Sequence, residues 1–154
     1  MRIFIYLLII SFFNIVQATA RDPLVLKLTK TVSISDGTDT TVFCAHPALD
    51  EESRIIGLMF QETLPEKAGM VFDFGGTQIV NMWMRNTILP LDMIFFDGAG
   101  KVVHIAVDTT PFSLDIISSE KPAKFVLEVN AGIAKKYGLT VGDQVVFGDN
   151  DCKL

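Results

Sequence analysis

The amino-acid sequence predicts a mainly β domain that borders on the α+β class. We expect a single compact antiparallel β-barrel or a jelly-roll-like sandwich that carries two short helices. Three observations predict this class: short segments alternate apolar and polar residues, Gly and Pro turns separate them, and only two segments have helical spacing. The chain of 154 residues is 49% hydrophobic and 20% charged, which is typical of a packed globular protein.

The elements follow one another along the chain in a consistent order. Alternating apolar side chains predict a strand over Leu24–Thr29 that continues through Val32 and Ile34. Asp36-Gly37 predicts a turn before a returning strand over Thr40–Ala45. The remaining expectations are a helix over Ala48–Met59, strands over Met70–Phe74 and Ile79–Met84, a hairpin of Asp92–Phe96 with Lys101–Val107, a long loop over Thr109–Pro122, a strand over Phe125–Val129, a helix over Ala131–Tyr137 and a strand over Gln144–Phe147.

Residues 1–20 have the features of a cleavable signal peptide. An apolar stretch over Ile3–Val16 is followed by Ala18 and Ala20, which form the small-x-small pattern of a cleavage site before Arg21. The stretch is shorter than the ~20 apolar residues of a membrane-spanning helix. We therefore expect an exported protein, periplasmic or secreted, without stable membrane insertion after cleavage.

The remaining chain is the size of one domain. We divide it into an N-terminal strand segment at 21–39, the main part of the same domain at 40–148 and a polar tail at 149–154. The net charge of −5 and the lack of a Lys/Arg cluster disfavour nucleic acid as a partner. No motif indicates a cofactor or a metal site, and the partner is an unknown small molecule or protein.

Cys44 and Cys152 are the two cysteines of the chain. In an exported protein, which reaches an oxidising compartment, they can form a disulfide. A free Cys44 would also pack well inside its apolar strand, and Cys152 lies in the polar tail. Both states are compatible with the sequence.

Several short motifs stand in a specific order. They are Arg54-Ile55-Ile56-Gly57-Leu58-Met59-Phe60, Met82-Trp83-Met84-Arg85-Asn86-Thr87, Leu89-Pro90-Leu91-Asp92 and Val126-Leu127-Glu128. Over about 40–147 the chain resembles the domain of unknown function family 192 (DUF192). The resemblance implies a small, mostly β domain, often exported by bacteria, and it implies no particular activity.

The polar run Arg85-Asn86-Thr87 with Asp92 is the richest candidate site, because it lies between two apolar segments. As a ligand site, Arg85 and Asn86 would donate hydrogen bonds, and Asp92 would act as an acceptor or general base. The structural alternative is favoured. In it, Asn86 and Thr87 satisfy loop backbone and Asp92 accepts from buried N–H groups.

Arg54 and Glu128 form a second candidate pair, for which we expect a structural ion pair between the first helix and a late strand. The methionines are a third candidate, because thioethers bind Cu(I). They also serve as ordinary core filler, which is the favoured interpretation. This group comprises Met59, Met70, Met82, Met84 and Met93.

These features support three functional hypotheses. The first is a non-enzymatic periplasmic binding or accessory module, since no recognisable catalytic constellation is present. The second is a hydrolase or lyase that uses Asp92 with Arg85 and Asn86. The third is a copper-handling protein that uses the clustered methionines.

Overall fold

The computed structural model describes residues 24–149, 152 and 154, so the predicted signal peptide lies outside the described residues. No helix within this described part is both long and apolar enough to cross a membrane. The elements are β1 (Lys30–Ser35), β2 (Thr40–Ala48), α1 (Glu51–Ile56), β3 (Ala68–Gln78), β4 (Asn81–Met82), β5 (Leu91–Phe96), β6 (Val102–Ala106), β7 (Ile117–Ser118), β8 (Ala123–Asn130), α2 (Ile133–Lys136) and β9 (Gln144–Gly148).

Seven strands form one curled sheet in the order β6-β5-β8-β3-β2-β1-β9, and β4 pairs with β7 in a small second sheet. The curl brings the two edges of the large sheet together at one end. There the backbone N–H of Val102 donates to Asp143 O at 2.9 Å, and that of Val145 donates to Gly100 O at 2.7 Å. The sheet is therefore a half-barrel, and the mainly β class with two short helices is confirmed.

The inside of the curl is filled by one hydrophobic cluster, here called the inner cluster. It draws residues from both edges of the sheet, such as Val102 and Val145, and from α2, such as Ile133. Because side chains alternate across a strand, the neighbouring positions of the central strands face the other way. These residues form the outer cluster, which includes Phe72 and Met93. The chain segments that flank α1 and β4 cover this cluster.

Two elements near the N-terminus differ from the sequence-based expectation. The strand expected over Leu24–Thr29 is absent, and β1 begins at Lys30. The leucines in that segment instead pack on the outer cluster, so their alternation reflects one-sided burial without strand pairing. The helix expected over Ala48–Met59 is shorter, because Ala48 pairs with Phe72 as the last residue of β2 and Gly57 caps α1.

The middle of the chain also differs in detail. β2 and β3 run parallel, whereas the sequence predicted antiparallel strands. The segment that contains α1 makes the crossover connection that a parallel pair requires. β3 continues through Gly75-Gly76, where a break was expected, with an irregular register between Asp73 and Gln78. The strand expected over Ile79–Met84 is reduced to β4, whose partner β7 lies in the expected long loop. The hairpin of β5 and β6 is confirmed.

Cys44 and Cys152 are joined by a disulfide, with their Cα atoms 5.4 Å apart and a sequence separation of 108. The bond ties the polar tail to β2 near the middle of the sheet. In the chain-entropy model, a cross-link closing so long a loop contributes about 4–5 kcal/mol to the free energy of unfolding.

The centre of the sheet depends on a glycine at the contact between β3 and β8. A Cβ atom at Gly69 would lie only 2.5 Å from the backbone oxygen of Glu128 and 3.1 Å from the Leu127 and Val129 side chains. Since backbone cannot move aside as a flexible side chain can, this strand pair requires glycine at position 69.

We therefore predict that Gly69→Ala lowers the free energy of unfolding by about 1–3 kcal/mol, because β3 and β8 must separate. Gly76→Ala is the matched control in the same strand, since a Cβ there meets nothing within 4 Å and should change stability by less than about 0.5 kcal/mol. Urea unfolding of both variants measures the difference. Equal stability of the two variants would show that the contact is not tight.

Candidate functional site

A cavity of about 220 Å³ lies where α1, β3, β8 and the segment 81–87 meet. Apolar and aromatic side chains form most of its wall, and four ionisable residues join them. The ionisable residues are Glu51, Arg54, Arg85 and Glu128, and the principal apolar ones are Ile56, Leu58, Phe72, Phe74, Met82 and Trp83.

Glu128 is the most unusual residue of this wall. It lies on β8 between Met70 of β3 and Met93 of β5, and it is only 4% exposed. Its Oε2 atom is buried without a hydrogen-bond partner in the described part of the chain. Loss of contact with water raises the pKa of the Glu128 carboxyl to about 8, so the group is largely uncharged at neutral pH.

The end of α1 shapes the cavity next to this carboxyl. Asp50 and Ser53 form a capping box that fixes the start of the helix. Gly57 ends it with a φ of 52°. A Cβ atom at Gly57 would lie 3.4 Å from the Phe72 ring and 3.9 Å from Glu128 Oε2. The glycine therefore both permits the turn and leaves the space above the carboxyl open.

Arg54 lines the cavity from the last turn of α1, but it does not form the expected ion pair with Glu128. Its Nη1 atom donates to the backbone oxygens of Leu49 at 3.1 Å and Asp73 at 2.9 Å. The guanidinium also stacks on Phe74, 5.6 Å from the ring centre. These contacts fix Arg54 between α1 and β3, and the ion-pair prediction was wrong because the guanidinium is held by the backbone carbonyls of Leu49 and Asp73 instead.

Arg85 lines the cavity from the segment 81–87, where its guanidinium stacks on Trp83 at 5.0 Å. Thr87 also lines the cavity, and its Oγ1 donates to the backbone oxygen of Arg85 at 3.3 Å. Asn86 has a φ of 55° and turns the other way, toward a second, adjoining cavity. Its Nδ2 donates to Met59 Sδ at 3.8 Å.

Asp92 is separated from these residues and lines neither cavity. It is fully buried on the opposite face of β5, where its Oδ1 accepts from the N–H of Asp108 at 2.9 Å and its Oδ2 from the N–H of Ala134 at 2.8 Å. Asp92 therefore connects β5 to the turn after β6 and to α2. The structure brings Arg85 and Thr87 together with Glu128 and Arg54, and it leaves Asp92 in a structural position.

The methionines lie mainly in the outer cluster, where Met70, Met84 and Met93 are fully buried. Met84 Sδ accepts from Thr109 Oγ1 at 3.2 Å. Within the described residues, no group of three or more His, Cys, Asp or Glu is placed to hold a metal ion.

Sequence reasoning named Glu128 only as the partner of Arg54. The signal for a larger role was present, since Glu128 is the single charged residue within the apolar run Phe125–Val129. The wall residues Gly57 and Trp83 were not named as site residues, because their proximity depends on how α1 and β4 lie on the sheet.

A comparison with protein families matches residues 32–147 to the model of DUF192, described as an uncharacterised ACR. A crystal structure from Sinorhizobium meliloti 1021, provisionally described as a transcription regulator, is 37% identical; the match covers 79% of this chain and 96% of that one, with a TM-score of 0.75. A protein of unknown function from Novosphingobium aromaticivorans DSM 12444 is 30% identical, covering 82% and 94% with a TM-score of 0.74. No curated protein matches the chain.

The raised pKa of Glu128 predicts how stability depends on pH. The folded chain keeps a proton up to about pH 8, whereas the unfolded chain releases it near the ordinary pKa of 4.5. The stabilising contribution is therefore complete below 4.5 and falls as pH rises toward 8, by about 1.4 kcal/mol per pH unit.

Urea unfolding between about pH 5 and pH 9 measures this slope. Glu128→Gln keeps a neutral side chain of similar shape and should remove the slope, so the variant becomes more stable than the wild type at high pH. Glu62→Gln is the exposed control and should leave the slope in place, since Glu62 is exposed and forms no ion pair among the described residues. Parallel curves for the wild type and Glu128→Gln would contradict the assignment.

Proposed function

The chain belongs to the DUF192 family, and on that premise we propose that it is an exported, non-enzymatic module that binds a small molecule in the cavity beside Glu128. A single observation carries this proposal: Glu128, whose buried Oε2 atom has no partner in the described residues, lines a largely apolar cavity. Buried polar atoms are nearly always hydrogen-bonded, and an exception needs a reason. A ligand that completes the hydrogen bond of Glu128 supplies that reason.

The composition of the wall favours recognition over covalent catalysis. The described lining residues include no His, Cys, Ser or Lys, and the nucleophiles or bases available there are Thr87, whose Oγ1 donates to the backbone oxygen of Arg85, and the two glutamates. Apolar surface with a few placed polar groups is the common pattern of a small-molecule site. The cavity of about 220 Å³ is somewhat larger than one of about 150 Å³ that holds benzene. It suits a ligand body of that order of size.

Export is the second part of the proposal. The features of residues 1–20 support it, and so does the Cys44–Cys152 disulfide, because such bonds persist in oxidising compartments. Expression of the full chain in a bacterial host with a secretion system tests it by intact mass. A periplasmic product that begins at Arg21 is expected, and a cytoplasmic product that keeps residues 1–20 would contradict export.

The Sinorhizobium meliloti protein is described as a transcription regulator, but a DNA-binding role is disfavoured for this chain. The net charge of −5 disfavours binding to DNA phosphates. The two arginines of the site also flank a cavity, and one of them is held by backbone carbonyls.

A fragment screen tests the binding function. We predict that neutral and charged fragments of about 6–12 non-hydrogen atoms include binders that shift the NMR amide signals of Gly57, Trp83 and Arg85. Trp83 is the single tryptophan of the chain and lines the cavity, so its fluorescence gives an independent readout.

The matched variants are Glu128→Leu, which removes the polar group of the cavity, and Glu120→Leu, which changes an exposed glutamate. Binding of the confirmed fragments should weaken at least about 10-fold in Glu128→Leu and stay unchanged in Glu120→Leu. Fragments that shift signals only elsewhere, or that bind both variants equally, would contradict the proposed site.

A further inference from the structure

We propose that the ligand is a small organic anion, a carboxylate on a short apolar body, whose head group lies between Arg54 and Arg85 and accepts a hydrogen bond from the Glu128 carboxyl. This inference rests on the proposed binding function and names the class of ligand. It follows from the charges around the cavity, from the hydrogen bonds that the two arginines make, and from the position of Glu128.

The charge of the cavity is opposite to that of the whole chain. The chain has a net charge of −5, yet Arg54 and Arg85 both line the cavity, and the carboxylate of Glu51 at its exposed margin is the one ionised acid that joins them. Neither arginine has a carboxylate within ion-pair distance in the described part of the chain, where the ion pairs involve Lys30, His104 and Lys136. A bound anion would compensate this local positive charge.

Arg54 is held in place with donors to spare. Of its guanidinium nitrogens, only Nη1 donates to described protein atoms, the carbonyls of Leu49 and Asp73. Hydrogen bonds from Ser53 and, after them, the charge of Arg54 lower the pKa of Asp50, whose carboxylate accepts from the Ser53 N–H. A guanidinium fixed through one nitrogen keeps its remaining N–H groups for a planar acceptor such as a carboxylate.

Arg85 offers a second set of donors to the same cavity. Stacking on Trp83 uses the face of the guanidinium and leaves its in-plane N–H groups without a described protein partner. Two arginines lining one cavity repel an ammonium ion, and the uncharged Glu128 gives a cation no counter-charge. The site therefore discriminates by charge in favour of an anion.

Glu128 supplies a further polar contact to the ligand from the cavity lining. An uncharged carboxyl donates an O–H, and hydrogen bonds from O–H to a carboxylate are short and strong. Phe72, Met82 and Ile56 provide apolar surface for the remainder of the ligand. An ionised Glu128 would instead repel the anion, so binding depends on its proton.

This dependence gives a pH signature. The charged groups around Glu128 are Arg54, Arg85 and Glu51, and its cross-strand neighbours Met70 and Met93 are uncharged. Affinity for the anion should be constant below about pH 8 and fall about 10-fold per pH unit above it.

The test uses hexanoate, hexanol and hexylamine, which share a six-carbon chain and differ in head group. Trp83 fluorescence and calorimetry at neutral pH measure the binding of each probe to the mature protein. We expect hexanoate to bind at least about 10-fold more tightly than hexanol, and hexylamine to bind most weakly. The preference for hexanoate should diminish above about pH 8.

Arg85→Ala should weaken hexanoate about 10-fold and hexanol less than about 2-fold. Lys124→Ala is the matched control, because Lys124 also stacks on an aromatic ring, that of Phe125 at 4.8 Å, and does not line the cavity. Binding to Arg85→Ala is measured by calorimetry, because the substitution next to Trp83 itself alters the fluorescence of Trp83.

Hexanol or hexylamine binding as tightly as hexanoate would overturn the anion assignment and leave the binding function intact. Hexanoate binding that Arg85→Ala leaves unchanged would also overturn it. If none of the three probes binds, the carboxylate inference is wrong for this cavity, and the fragment screen decides the binding function separately.

Discussion

The contact between β3 and β8 is the interaction on which the sheet and the cavity both depend. Gly69 allows the two backbones to approach, because any Cβ there would meet the carbonyl oxygen of Glu128. β8 in turn pairs with β5 on its other side, so one half of the sheet is attached to the other through this strand. The same pairing places the Glu128 side chain on the outer face, next to Met70 and Met93.

The buried position of Glu128 lowers the stability of the folded protein. A carboxyl in an apolar cluster without a hydrogen-bond partner costs free energy, and an apolar residue of similar size would commonly be more stable there. The remainder of β8 follows the normal pattern, with Leu127 and Val129 in the inner cluster and Val126 in the outer one. A local exception in an otherwise consistent strand is typical of a site under functional constraint.

The neighbouring elements support the same interpretation. Gly57 leaves space above the carboxyl, Arg54 is oriented by backbone carbonyls, and Arg85 is oriented by Trp83. These groups come from two separate parts of the chain, the end of α1 and the segment 81–87, and each is fixed by contacts that do not involve Glu128. The cavity is therefore preformed, which lowers the entropic cost of binding a ligand.

Local patterns predicted the parts of the fold that depend on local forces. The hairpin of β5 and β6 follows from a turn whose Asp97 side chain accepts from the N–H groups of Ala99 and Lys101. Other parts depend on distant contacts. Leu24–Thr29 alternates like a strand but packs against the outer cluster without pairing, and β4 exists because a segment expected as loop supplies β7.

The candidate site shows the same division. The motif residues Arg54, Arg85 and Glu128 were recognisable in sequence, yet their arrangement was not, because sequence spacing does not determine which side chains share a cavity. Asp92 looked equally suitable, and only the alternation of β5 places it on the opposite face. The pairing of Cys44 with Cys152 stayed open for the same reason, since it depends on the path of the tail.

The central claim is that Glu128 is an uncharged acid in the cavity of the folded protein. A ¹³C NMR titration of its side-chain carboxyl, assigned by comparison with Glu128→Gln, measures this most directly. The account predicts a titration midpoint of about 8 for the folded protein without ligand. A midpoint near the ordinary value of 4.5 would show that the carboxyl is solvated and charged, and would contradict the account.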